Sequence, residues 1–265
     1  MSGRVLDVGE GEDTGMTSFR LLDLTLPSPI ENLALDGAPL EELQEGGGTA
    51  VLRLSESDRY FVVLGRSSRV DDDVHVEICR QACVPILRRA SGGGTVLQGP
   101  GCLSYAFVLP ISLHGALRDI RRTNEYFLRP IAAALSRWHP AVTPQGISDL
   151  TIEGRKISGN AQRRTRNALL FHGTILYDMH ADVISRYLRQ PKRQPQYRGD
   201  RSHGEFLRTI NAPVEGLKEA IAKAWHAHTE LRSWPRARMT DAIVNVLDRR
   251  LPQEQAIEAA MPGTR

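Results

Sequence analysis

The sequence predicts an α+β domain built on a mixed, largely antiparallel sheet flanked by helices. Three observations carry that expectation. Strand-like apolar runs bounded by turn residues are numerous, and helical segments are interspersed among them. Residues 115–138 place Leu117, Ile120, Phe127, Ile131, Leu135 and Trp138 at helical spacing, so one long amphipathic helix belongs there. No period recurs along the 265 residues, which excludes a repeat architecture.

The elements follow in order. Residues 1–16 are acidic and glycine-rich with little to bury, and are expected to be a disordered leader. FRLLDLTLP (19–27) reads as the first strand. Residues 28–48 read as a helix, with Ser28 as cap, Pro29 at its first position and Gly46 at its end. TAVLRLSES (49–57) and RYFVVLGR (59–66) are two apolar runs. DDDVHVEICRQACV (71–84) reads as a helix whose acids suit the positive end of its dipole. PILRR (85–89), TVLQ (95–98) and CLSYAFVLP (102–110) are strand-like. After the long helix, 148–161 reads as a hairpin turning at Glu153-Gly154, and ALLFHGTILYDM (168–179) as another strand. A helix over 181–190 leads into PKRQPQYRGDR (191–201), a proline- and arginine-rich loop or linker. Amphipathic helices over 214–228 and 238–251 and a polar tail complete the chain. Trp138, Trp225 and Trp234 are expected in the core.

Composition narrows the function classes. Hydrophobic residues make up 41% and charged residues 25%, as in soluble globular proteins. Lys and Arg total 34 against 31 Asp and Glu, a net charge of +3, which argues against wholesale nucleic-acid binding. No apolar run reaches the roughly 18 residues of a membrane span, and the start lacks the pattern of a signal peptide. The cysteines, Cys79, Cys83 and Cys102, are read as reduced thiols of a cytoplasmic protein. Two of them four residues apart make no zinc site.

Two stretches carry chemistry. LRRASGGGTVLQGPG (87–101) sets two arginines beside three consecutive glycines. It lacks the Lys-Ser/Thr pair of a P-loop. Successive glycine amides can nonetheless form an anion-binding nest, with Arg88 or Arg89 as fixed cation, or they can simply make a tight turn. EGRKISGNAQ (153–162) places Lys156 between two turn-forming corners, where its ammonium is either aimed at a ligand or solvated.

Together with ENLALD (31–36), LGR (64–66), RRASGGGTV (88–96), SDLTIEGRKISGNAQ (148–162) and HGTILYD (172–178), these stretches make the chain resemble the lipoate–protein ligase family over residues 18–210. The resemblance implies a biotin/lipoate-ligase-like catalytic domain at 17–210, with 211–265 a helical C-terminal extension too short for a full accessory domain. It implies ATP and Mg²⁺ as cofactors and lipoate or octanoate as substrate. The acyl group would be activated as the adenylate and transferred to a lysine of a lipoyl-domain acceptor, with an accessory domain supplied by a separate chain or dispensed with. By position, Arg89, Ser91, Gly92, Gly93, Gly94, Gly159 and His172 would line the acyl-adenylate. Lys156 would contact the acyl carbonyl and α-phosphate, and Asp149 would hold Mg²⁺.

The chain departs from the family where Gln98 replaces a histidine and where Ser148-Asp149 replaces Asn-Asp. Two rival readings follow. In an octanoyltransferase a cysteine takes the acyl group without ATP. Leu169 occupies the position of that cysteine in one branch, which leaves Cys102 as alternative nucleophile. A non-catalytic lipoyl-binding module is the other.

Overall fold

The computed structural model describes residues 19–231 together with Met239 and Ile243. The expected leader, Trp234 and nearly all of the 238–251 helix lie outside the described residues.

The chain begins with β1 (Arg20–Asp23) and two short helices, α1 (Pro29–Leu35) and α2 (Ala38–Gln44). One continuous helix was expected there. It breaks at Asp36-Gly37 because Pro39 cannot donate to the helix ladder and its ring opposes the carbonyl four residues back. β2 (Val51–Ser55) and β3 (Phe61–Leu64) follow. The helix expected over 71–84 is likewise two pieces, α3 (Val70–Asp73) and α4 (Val76–Gln81), parted where Val74 makes a bridge to Leu188. β4 (Ile86–Arg88), β5 (Val96–Gln98) and β6 (Cys102–Pro110) precede α5 (Ile120–Leu135). Helix α5 is shorter than expected because Gly115–Arg118 forms a separate 3-10 turn and Asp119 caps the helix, accepting from the Arg122 amide at 2.8 Å. Ile120 therefore falls in the first turn, outside the core, and is 58% exposed.

β7 (Val142–Gln145) was not anticipated. It pairs with β8 (Asp149–Ile152), which forms the expected hairpin with β9 (Arg155–Arg164). The hairpin turns on Glu153 and Gly154, both with positive φ, at 52° and 73°. β10 (Ala168–Leu176), α6 (Ala181–Tyr187), α7 (His203–Phe206), α8 (Val214–Ala224) and β11 (Thr229–Glu230) complete the described elements.

The larger sheet runs β11-β1-β2-β6-β10-β9-β8-β7, parallel where β1 meets its two neighbours and antiparallel elsewhere. A smaller sheet, β4-β3-β5, has one parallel and one antiparallel pair. The mixed, largely antiparallel architecture is the one the sequence predicts. α5 and α8 cover one face of the larger sheet, where Phe127 stacks on Phe171 at 4.4 Å and Trp225 packs against Phe19 and Phe107. Burying such rings contributes about 1.5–3 kcal/mol each.

On the other side, ENLALD has a structural task. Asn32 and Asp36, four apart on and just beyond α1, both accept from the buried Arg53 of β2, at 2.6 Å each. No helix among the described residues is long and apolar enough to cross a membrane.

Candidate functional site

The smaller sheet exists to present the glycine loop. β4 ends at Arg88, whose Nη1 donates to the carbonyls of Gly65 (2.9 Å) and Ser68 (2.8 Å). Arg89 lies buried beneath the loop. Its Nε donates to Ser91 Oγ (3.0 Å), and its Nη2 to the carbonyls of Gly92 (2.7 Å) and Gly94 (2.8 Å). Burial lowers the Arg89 pKa to about 10, which still leaves it charged at neutral pH. The sequence suggested a ligand contact for Arg89, whereas in the fold both arginines are buried and donate to the protein's own atoms. They draw carbonyls inward, and among the described residues the amides of Gly92, Gly93 and Gly94 find no backbone acceptor. Gly93 has φ +93°, where a side chain is strained, and its carbonyl packs so closely on Gly65 that a β-carbon there would overlap it.

Ser91 fastens the loop to the larger sheet, its Oγ lying 2.7 Å from His172 Nε2 on β10. The Ser91 hydroxyl also accepts from Arg89, so it joins the loop's buried cation to the ring of His172. Burial, reinforced by the Arg89 charge, pushes the His172 pKa down to about 3. His203 on α7 falls to about 4, through burial first and then Arg198. Both histidines are neutral when folded but protonate below about pH 6.5 when unfolded. Their contribution to stability is therefore full above that pH and is lost as pH falls from 6.5 to about 4 for His203 and about 3 for His172. The urea midpoint is expected to drop between about pH 7.5 and about pH 5, and His172→Gln, whose side-chain amide can donate to or accept from Ser91, should reduce the drop. An equal drop in both proteins would contradict this reading of His172.

The second half of the site comes from the β8–β9 hairpin. Asp149 lies opposite Gly159, and the register shift between Leu150 and Thr151 brings Lys156 back toward both. Lys156 Nζ is 2.8 Å from Asp149 Oδ1, while Tyr197 OH donates to Oδ2 at 2.7 Å. Gly159 leaves room for the ammonium, since a β-carbon there would sit 2.7 Å from Nζ. Asn160 braces the hairpin: its Nδ2 donates to the Ser148 carbonyl at 2.8 Å, and its Oδ1 accepts from Tyr105.

Tyr197 carries no local signal in the sequence. The 191–201 segment, expected to be a loop or linker, folds back over the site, with Arg198 buried against Phe206 at 4.7 Å. Asp149 was the expected magnesium ligand. Both of its oxygens already have partners, and no group of three His, Cys, Asp or Glu among the described residues could hold a metal. This donor set does not fit a protein-held divalent ion, which prefers several hard oxygens.

Between loop and hairpin opens a cavity of about 650 Å³. Gly93, Gly94, Lys156 and Gly159 line it, whereas Arg89, Ser91, His172 and Asp149 stand behind the wall and Gly92 lies exposed outside it. Leu97, Leu176, Ile184, Leu188 and Phe206 supply an apolar surface, and Arg69, Arg189, Lys192, Arg193 and Arg198 a basic one. The space thus suits a molecule with an apolar chain and anionic groups. Cys102 opens β6 just behind the apolar wall, packed with Leu97, Leu176, Ile184 and Leu188, 1% exposed, its thiol pushed up to about 12 by burial although Thr174 bonds it. Gln98 lines a separate small recess beside Arg53, and Leu169 is fully buried in the main core.

A mixed sheet that presents a stapled glycine loop opposite a lysine hairpin defines the lipoate-ligase-like class of α+β domains. Residues 28–226 match the lipoyl protein ligase A/B catalytic domain, and the chain belongs to that family.

Among its relatives, lipoate-protein ligase LplJ of Bacillus subtilis is 26% identical over 60% of this chain and 45% of its own length. Lipoate–protein ligase 1 of Staphylococcus aureus is 24% identical over 83% and 65%. Octanoyltransferase LipM of Carboxydothermus hydrogenoformans is 27% identical over 66% and 70%. The chain therefore spans 45% and 65% of the length of these two ligases.

The fold matches a lipoate-protein ligase A bound with ATP, with a TM-score of 0.72 and 18% identity over 91% of this chain and 99% of that one. It also matches a bi-partite lipoate protein ligase of Thermoplasma acidophilum described with its E2 lipoyl domain, at 0.71 and 19% over 94% and 100%.

Proposed function

We propose that this domain activates lipoate or octanoate with ATP as the acyl-adenylate and transfers the acyl group to a lysine of a lipoyl domain. The observation that carries the proposal is the Lys156 ammonium, which shares the wall of one amphipathic cavity with Gly93 and Gly94.

The acyl chain lies along Leu97, Leu176 and Ile184, with its carboxylate toward Lys156. A carboxylate oxygen attacks the α-phosphorus, the bond to the β-phosphate breaks, and pyrophosphate leaves. Lys156 neutralises the oxygens that gain charge, and the outward amides of the glycine loop take up phosphate oxygens. The acceptor amine then attacks the acyl carbonyl carbon, releases a proton to solvent and expels AMP. Asp149 and Tyr197 hold Lys156 in place between turnovers. No step is routed through a protein-held metal.

The bi-partite archaeal ligase supports a separate accessory chain as partner. The similarity to LipM favours a second reading, transfer from an acyl thioester through a cysteine. A thiol held near pKa 12 inside the sheet is a poor nucleophile, so Cys102 speaks against it. Cys102→Ser should leave lipoate-dependent pyrophosphate release within about twofold of wild type, because no step uses the thiol. Loss of acyl transfer without loss of stability in that variant would favour the transferase.

A further inference from the structure

We propose that the first turn of α5 and the neighbouring 146–148 turn form the docking surface for the acceptor, an acidic protein domain that presents its lysine to the glycine loop. This rests on the ligase reading above.

Two large apolar side chains stand in water here, Ile147 at 82% and Ile120 at 58% exposure. They are held side by side. Asn124, itself buried, donates to the Ile147 carbonyl at 2.9 Å, and Gln162 Nε2 reaches both the Ile120 carbonyl (3.1 Å) and Asn124 Oδ1 (2.8 Å). A buried Asn124 and a half-buried Gln162 that fix the backbone under an exposed isoleucine pair make a preformed contact, which costs less to dock than a mobile one.

Charge identifies the occupant. Residues 118–129 and 163–166 hold seven arginines against two carboxylates, an excess larger than the +3 of the whole chain. Arg164 joins the two segments, donating to the Leu117 carbonyl. Of the two carboxylates, Asp119 is used as the helix cap and Glu125 lies near Arg121 at 3.6 Å and Arg129 at 4.0 Å. An exposed apolar pair with Arg118, Arg121 and Arg122 flanking Ile120 in the chain suits a negatively charged protein surface, with the isoleucines as anchors and the charges steering encounter.

Position fits the chemistry. Ser148, next to Ile147, bonds the Asn160 carbonyl at 2.7 Å, and Ala161 beside it lies against Gly93. A domain seated here has its reach into the cavity across the glycine loop. β8 pairs with β9 only as far as Gly159, and among the described residues no strand covers β9 beyond it on that side. The basic rim at 189–193 is a weaker candidate: Lys192 is committed to Asp72 at 2.6 Å and Arg189 to the Val74 carbonyl at 3.0 Å.

The test is direct titration of an unmodified lipoyl domain of net negative charge, used as the probe, against wild type, Ile147→Ser/Arg121→Glu and Lys192→Glu/Arg193→Glu. The expected result is about tenfold weaker binding for the first variant, with a flatter salt dependence, and near-wild-type binding for the second. Lipoate-dependent ATP–pyrophosphate exchange is measured alongside and should be unchanged by Ile147→Ser/Arg121→Glu. Equal binding by wild type and that variant, or weakening confined to the 192–193 variant, overturns the docking surface. Absence of exchange in wild type contradicts the ligase reading separately, because binding is measured without turnover.

Discussion

Replacing Lys156 by alanine is expected to lower acyl-adenylate formation by about 10²–10³-fold, the usual loss when one donor aimed at developing charge is removed from a sheltered site. The ammonium is the charged group common to the cavity wall and the hairpin, and it is only 25% exposed, so bulk water replaces it poorly. The loss should fall on kcat more than on KM, since the charge matters most as the phosphate and carbonyl oxygens gain negative charge. Removing Lys156 also leaves the half-sheltered carboxylate of Asp149 with only Tyr197, so some stability loss is expected. Lys156→Ala/Asp149→Asn removes that unpaired charge and should recover stability without recovering activity. Activity restored in the double variant would mean that Lys156 serves folding alone.

Gly65→Ala should disable the site from a position that touches no substrate. The added methyl would overlap the Gly93 carbonyl, a backbone atom that cannot swing aside as a flexible side chain can. Gly93 is in turn held through its neighbours, whose carbonyls are bound by Arg89. The strain of forcing a methyl into such a contact is about 1–3 kcal/mol. If the loop moves to relieve it by about 1 Å, alignment at the α-phosphate is lost, worth about a hundredfold in rate. Thermal unfolding and ATP–pyrophosphate exchange read the two costs separately. A variant with wild-type melting and exchange would show that the contact is slack.

Much of this architecture is written locally. The glycine loop, the Glu153-Gly154 turn and the central strands β6, β9 and β10 are legible because alternation and turn chemistry act over a few residues. Of the residues the motifs singled out, Lys156, Gly93, Gly94 and Gly159 line one cavity. What failed was local cues set against long-range ones. Pro39 marks the break between α1 and α2, yet the apolar spacing of Leu33, Leu40 and Leu43 reads across it as one helix. The edge strands β7 and β11 are too short to announce themselves, at four and two residues. Arg89 advertised a ligand contact because a sequence cannot tell whether a guanidinium faces outward or holds its own loop. Tyr197 was invisible for the same reason: its partner Asp149 lies 48 residues away, and its proline- and arginine-rich surroundings look like solvated chain.

The central claim is that the domain forms an acyl-adenylate at Lys156. The measurement that meets it most directly is exchange of labelled pyrophosphate into ATP by the wild-type protein, with and without lipoate. The account predicts exchange that requires lipoate or octanoate, survives Cys102→Ser and collapses in Lys156→Ala. Acylation of a lipoyl domain from an acyl thioester, with no exchange and an acyl group trapped on Cys102, would contradict it.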